Sequence, residues 1–183
     1  MRGTCLAFAA IVLVGCGSTH GTSRHTRHES TPPSIAAENA RPGTTAWRLP
    51  GPPQDVGGLA HGNVIGYVAE QAVLPGQVER IYVNAQGASR VRIRIFRMGW
   101  YGGLGGREVL KTRPLALVPQ PPCTHRFATG LTECNWHPTF SFRIPSGLPS
   151  GVYIAKLSAS TGASDCLFVI RSSQAQPLLA QLP

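Results

Sequence analysis

Residues 88–96 contain the run Arg90-Val91-Arg92-Ile93-Arg94-Ile95-Phe96, in which apolar and charged side chains alternate. On an extended chain Val91, Ile93 and Ile95 fall on one face and Arg90, Arg92 and Arg94 on the other, whereas a helical period of 3.6 would mix the two sets. A strand with one apolar and one charged face belongs to an antiparallel sheet that is covered on one side. The chain must therefore supply strand partners and a second apolar layer. Several short β-rich runs meet that need: residues 63–70, 78–84, 107–111, 139–144, 152–158 and 166–171. Turn signals separate them, with Pro75-Gly76 after the first, a Pro- and Gly-rich loop over 145–151, and Thr161-Gly162 as a hairpin turn. Roughly seven strands without a sustained helical period predict an all-β fold, an antiparallel β-sandwich of immunoglobulin or fibronectin-III-like type. The arginine face reads as a solvated strand face, or as an electropositive patch for an anionic glycan, lipid headgroup or partner, with Arg97 a candidate extension of it.

The N-terminus has a different character. Arg2 precedes a compact apolar run over residues 5–14, followed by Leu13-Val14-Gly15-Cys16. The run suits a secretory signal and falls short of the roughly 20 residues that a membrane-spanning helix needs. Its end resembles the lipobox of bacterial lipoproteins. That resemblance implies cleavage before Cys16, a diacylglycerol on the Cys16 thiol, and a membrane-anchored, extracytoplasmic location in the bacterial cell envelope. The sequence then divides into a signal peptide (1–15), a disordered tether (16–53), a sandwich domain (54–172) and a C-terminal tail (173–183). The tether assignment rests on Ser, Thr, Pro, Gly and His content with no sustained apolar period, a composition that buries too little surface to offset ordering entropy. His20, His25 and His28 lie in it and offer a metal-binding tract as the lesser alternative to a solvated spacer. Within it, Trp47 marks where the chain begins to dock on the folded body.

Seventeen Lys and Arg against eight Asp and Glu give a formal net charge of +9. Basic composition alone suggests nucleic acid or an acidic surface. Here the charges are scattered arginines, Lys111 and Lys156 being the lysines, with no dense basic run. Together with the export signal, this argues against nucleic acid as a partner.

Three features offer chemistry. In residues 97–107 five glycines surround Trp100 and Tyr101. Neither phosphate-loop pattern is present and no helix is predicted to follow, so nucleotide binding is excluded. The loop reads as a structured connection, with Arg97, Trp100, Tyr101, Gly102 and Gly103 as a docking edge. The alternative is a carbohydrate-binding surface with Trp100, Tyr101 and Trp136 as stacking rings. Second, Cys123-Thr124-His125 and Cys134-Asn135-Trp136-His137 read either as four zinc ligands or as a disulfide. The exported address favours the Cys123–Cys134 disulfide, which leaves Cys166 as a buried, inert thiol. Third, the acidic residues of the domain stand singly, without a carboxylate pair, nucleophile elbow or HExxH motif. No catalytic residue, metal ligand or cofactor is therefore predicted.

Several stretches together resemble one family, the bacterial proteins similar to the large (β) subunit of N,N-dimethylformamidase. They are Asn39-Ala40-Arg41-Pro42-Gly43 followed by Trp47; Gly66-Tyr67-Val68-Ala69 leading to Pro75-Gly76; residues 95–103 (IFRMGWYGG); Cys134-Asn135-Trp136; and residues 142–145 and 150–157 (FRIP and SGVYIAKL). The resemblance spans roughly residues 39–171 and implies an accessory N-terminal β-sandwich that precedes a larger catalytic-like domain. In that family two Tyr and a Glu of the later domain hold an iron for amide hydrolysis, and none of these maps onto this chain. The implied partner is such a domain or another protein. The apolar ending over residues 178–183 resembles the first strand of that domain, so a truncated reading frame is expected, with amidohydrolase activity confined to a longer gene product.

Overall fold

In the computed structural model of the chain, residues 32–50 and 60–174 are described. Twelve strands appear among them: β1 (Ala60–Gly62), β2 (Val64–Val68), β3 (Ala72–Val73), β4 (Val78–Ala85), β5 (Arg90–Met98), β6 (Gly106–Lys111), β7 (Leu115–Ala116), β8 (Thr124–Arg126), β9 (Leu131–Glu133), β10 (Phe140–Arg143), β11 (Gly151–Ala159) and β12 (Gly162–Ile170). The helical elements are α1 (Ile35–Asn39) and a single 3-10 turn over Tyr101–Gly103.

The strands form a β-sandwich. The larger sheet runs β1-β12-β11-β5-β6, with β3 parallel to β12 and β7 beside β5; the smaller runs β10-β4-β2. The long hairpin of β11 and β12 is in register from Gly151↔Ile170 to Ala159↔Gly162, close to the turn expected at Thr161-Gly162. At the predicted Pro75-Gly76 turn, Gln77 N donates to Leu74 O at 3.1 Å, with a φ of 84° at Gly76, as a type II turn requires.

The alternation that opens the sequence argument fixes the core. Val91, Ile93 and Ile95 of β5 are buried with Tyr153, Ala155 and Leu157 of β11, Phe168 and Ile170 of β12, and Ile81 and Val83 of β4. Arg90 and Arg92 are exposed, and Arg94 pairs with Glu108. Arg97 departs from this face. A period of two carries it to the same side as Ile95, and it is paired in register with the core residue Tyr153. It is therefore buried at one end of the sandwich and does not extend the exposed patch.

The outer face of each sheet is covered at one place. Over the smaller sheet, Tyr67 and Tyr82 stack at 4.6 Å, and Trp136 lies over Tyr67 at 5.3 Å. Trp136 lies two residues beyond the loop that the Cys123–Cys134 disulfide closes. Along the β6 edge of the larger sheet and onto its outer face runs the segment from Ser34 to Arg48, all of which the sequence assigns to a disordered tether. That assignment is corrected: Ser34 caps α1 by accepting from Ala37 N, Glu38 is fully buried, and Thr44 N donates to Gly106 O at 2.7 Å. Composition misleads here because a few tertiary contacts, mostly polar, replace the apolar period that the segment lacks. Cys16 and residues 17–31 lie outside the described residues, as does the tail from 175 onward.

Candidate docking site

The site is built where the N-terminal segment meets the glycine loop that follows β5. α1 forms because Ser34 supplies an N-cap and Ile35-Ala36-Ala37-Glu38-Asn39 is short enough to close before Pro42-Gly43. It delivers two adjacent side chains. Glu38 Oε1 accepts from the Tyr101 hydroxyl at 2.8 Å and from Arg107 Nε at 2.6 Å, and Arg107 Nη2 lies at 2.6 Å. Arg41 Nη1 faces Glu38 Oε2 at 3.5 Å. Asn39 Oδ1 accepts from Trp100 N at 3.0 Å.

Tyr101 is the hub. Its hydroxyl donates to Glu38 and accepts from Arg97 Nη1 at 2.9 Å. Arg97 Nη2 donates to Ser150 O at 3.2 Å, which ties the loop to the approach to β11, while Arg97 Nε is buried without a partner. Tyr101 has a φ of 42°, the left-handed region that a residue with a Cβ enters at a cost of about 1–3 kcal/mol. The buried hydrogen bonds hold it there. Gly102 and Gly103 continue in the same region with φ of 65° and 86°, which glycine tolerates freely. Gly43 answers from the N-terminal segment: a Cβ there would lie 2.5 Å from the Tyr101 Cβ, so the close approach of the two chains depends on its absence.

Burial pushes the Glu38 carboxyl up. The hydrogen bonds from Tyr101 and Arg107 and the charges of Arg107 and Arg41 outweigh it, so Glu38 titrates below its ordinary range. Burial raises Tyr101, so the hydroxyl keeps its proton for Glu38. The result is a buried cluster at the sandwich end in which Glu38, Tyr101, Arg97 and Arg107 are joined by hydrogen bonds.

The consequence for the surface lies in the next residue. The turn at Tyr101 sends its ring inward, at 1% exposure, and leaves Trp100 outward at 70%. Trp100 is held at its backbone by Asn39, and the Gly103 backbone runs beneath its six-membered ring. Trp136, by contrast, is 7% exposed and donates its indole N–H to Pro121 O at 3.0 Å. Of the three rings that would form a sugar-stacking surface, Tyr101 and Trp136 are thus committed to the interior. Trp47 docks as the sequence anticipates: its indole N–H donates to Leu104 O at 3.0 Å, and Lys156 Nζ donates to the carbonyls of Ala46 and Arg48 beside it.

The remaining candidates resolve simply. Cys123 and Cys134 are joined, with Cα atoms 4.2 Å apart, which removes both thiolates from the zinc ligand set. Cys166 is buried, and burial together with Asp165 pushes its thiol up to about 12, which suppresses the nucleophilic thiolate. Among the described residues no group of three or more His, Cys, Asp or Glu is placed to hold a metal. Glu38, Asn39, Arg107 and Ser150 belong to the site without having been predicted as members. The signal for the first two was present in Ser34 as a cap, a run of helix formers, and a closing Pro42-Gly43.

A family described as N,N-dimethylformamidase beta subunit-like, C-terminal, matches residues 92–183. The chain belongs to that family. The matched stretch begins inside β5 and takes in the glycine loop, both cysteines of the disulfide and the β11–β12 hairpin. The sequence places the sandwich on the N-terminal side of the family's chains; the matched part is described as C-terminal, so that placement is not confirmed. No curated protein matches the chain.

Proposed function

We propose that this chain is a lipid-anchored, extracytoplasmic β-sandwich that performs no chemistry of its own and serves as an accessory docking module within N,N-dimethylformamidase β-subunit-like systems. The observation that carries the reading is Trp100. A large aromatic ring at 70% exposure stands on a base of buried hydrogen bonds through Tyr101, Glu38 and Arg97. Rigid, exposed aromatics are the usual anchors of protein interfaces, because little side-chain freedom is lost when they are buried. Leu104, also exposed, broadens the apolar tip. The anchor half of the proposal rests on Leu13-Val14-Gly15-Cys16 after an apolar run. An acyl chain contributes about 0.8 kcal/mol per buried CH₂, and more than one chain is needed for firm attachment.

The test of docking is fluorescence titration of the chain with the catalytic-like domain of a family member. Saturable quenching, lost in Trp100→Ala while thermal stability is kept, is the expected result; unchanged binding by that variant sinks the reading. The test of anchoring is metabolic labelling with a palmitate analogue, which should mark the wild-type chain and leave Cys16→Ala unlabelled. Equal labelling of both refutes the anchor. A second reading, a carbohydrate-binding module, retains Trp100 as its exposed ring, and a glycan response abolished by Trp100→Ala would favour it.

A further inference from the structure

At one end of the smaller sheet, β4 begins and β10 ends beside the turn at Pro75-Gly76. Arg80 of β4 lies opposite Ser141, and Arg143 of β10 lies opposite Val78. The period of two therefore places both arginines on the outer face of this sheet, while Ile81, Phe142 and the buried Glu79 point the other way. Arg171, just past β12, joins them, with its backbone N–H donating to Val73 O at 2.8 Å. The three arginines line one open cleft of about 510 Å³, with Glu70, Gln77 and the small side chains of Ala72, Val73 and Val78 completing its wall.

The charge of this cleft is unbalanced. Arg41, Arg94, Arg107 and Arg126 each have a carboxylate partner, but among the described residues Arg80, Arg143 and Arg171 have none. Glu70 is the one carboxylate in the lining, against three guanidinium groups. Arg90 and Arg92 are also exposed and without a carboxylate partner, but they stand on the outer face of the other sheet. Arg143 is additionally oriented: its Nη1 donates to the Gly76 carbonyl at the turn, which leaves its remaining donors for the cleft.

We infer that this cleft binds a phosphate group, either free or as the headgroup of an anionic lipid. Guanidinium donors form planar forks suited to oxyanions, and a phosphate carries more oxygens and more charge than a carboxylate. A tetrahedral phosphate offers enough oxygens to engage all three. The apolar part of the wall leaves room for an ester substituent. This inference is independent of the Trp100 reading and of the lipid anchor, since it uses neither.

The experiment uses the full chain carrying Cys16→Ala, so that acylation cannot mask weaker attraction. Calorimetric titration with inorganic phosphate is compared with sodium chloride at matched ionic strength. Sedimentation with phosphatidylglycerol vesicles is compared with phosphatidylcholine vesicles. Saturable phosphate binding, weakened at least tenfold by Arg80→Gln and by Arg143→Gln and untouched by Arg92→Gln, identifies a soluble phosphate as ligand. Selective sedimentation with phosphatidylglycerol, lost in the same two variants, identifies the headgroup. Equal losses in Arg92→Gln would reduce the effect to net charge and overturn the site, as would no binding to either probe. Arg80→Gln guards against misfolding, because no described hydrogen bond depends on the Arg80 side chain.

Discussion

The two covered faces of the sandwich solve one problem by different means. Each sheet has a segment with little regular structure lying on its outer side, and each segment is pinned by a tryptophan whose indole N–H donates to a backbone carbonyl: Trp47 to Leu104 and Trp136 to Pro121. Behind Trp136 stands a covalent bond, Cys123–Cys134. Behind Trp47 stands a buried carboxylate, Glu38, with Arg107, Arg41 and Tyr101 around it. A disulfide acts mainly by restricting the unfolded chain and is indifferent to pH in the ordinary range. A buried ion pair acts only in the folded state and depends on every partner being present. One cover therefore responds to reductant and the other to acid. Only the second is coupled to the exposed Trp100, through Asn39 and Tyr101.

The comparison breaks most readily at Glu38. Glu38→Gln leaves Arg107 and Arg41 facing a neutral group, and the loss in unfolding free energy should be about 3 kcal/mol by chemical denaturation. The exposed pair Arg126–Glu133, at 3.2 Å, is the control, and Glu133→Gln should cost less than about 1 kcal/mol. If the two cost the same, the carboxylate does not hold the N-terminal cover. Removing the disulfide with Cys123→Ala and Cys134→Ala should cost about 2–3 kcal/mol, given its short loop. Reductant should lower the wild-type melting temperature and leave that double variant unmoved.

Acid sharpens the contrast. The Glu38 pKa is lowered on folding, so its contribution is fully present above the ordinary value of 4.5 and is lost as pH falls through the lower folded value. Asp165 acts in the opposite sense. Burial raises it from 3.8 to about 6 against the opposing charge of Lys156, so the folded chain holds that proton longer and stability falls as pH rises between those values. Melting temperatures from pH 3 to 7 (roughly, the span of both transitions) should lose their acid-side decline in Glu38→Gln and flatten near pH 5 in Asp165→Asn. The smallest effect belongs to Trp100→Ala, whose stability should stay within about 0.5 kcal/mol of wild type because the ring touches mainly solvent. A large loss would mean that the ring is structural and that the exposed aromatic is not a docking anchor.

Much of the sandwich was legible because strand period and turn chemistry are local. Val91, Ile93 and Ile95 announce their face two residues at a time, and Pro75-Gly76 specifies its turn without reference to anything distant. Parity also places Arg97 with the core residues, although its charge argues for the surface; only a partner such as Tyr101 makes that burial affordable. Glu38 was not legible as a site residue. Its partners Tyr101 and Arg107 lie more than sixty positions away, and a short Ser-capped helix in a Pro-rich stretch carries little weight in composition. The pair Trp100-Tyr101 stands out in the sequence, but which ring points outward does not, since that depends on a φ of 42° at Tyr101 held by the surrounding hydrogen bonds.

By itself, the sequence determined the all-β class, the strands of the core, the pairing of Cys123 with Cys134 once export is assumed, and the docking role of Trp47. These follow from periodicity, turn residues and redox compartment, all of which act at short range or on the whole chain. The tertiary structure alone decided that residues 34–48 belong to the folded body, that Tyr101 is interior while Trp100 is surface, and that Arg80, Arg143 and Arg171 share one cleft. Each of those facts depends on which distant groups meet, and burial of a charge or a ring is settled by its neighbours in space.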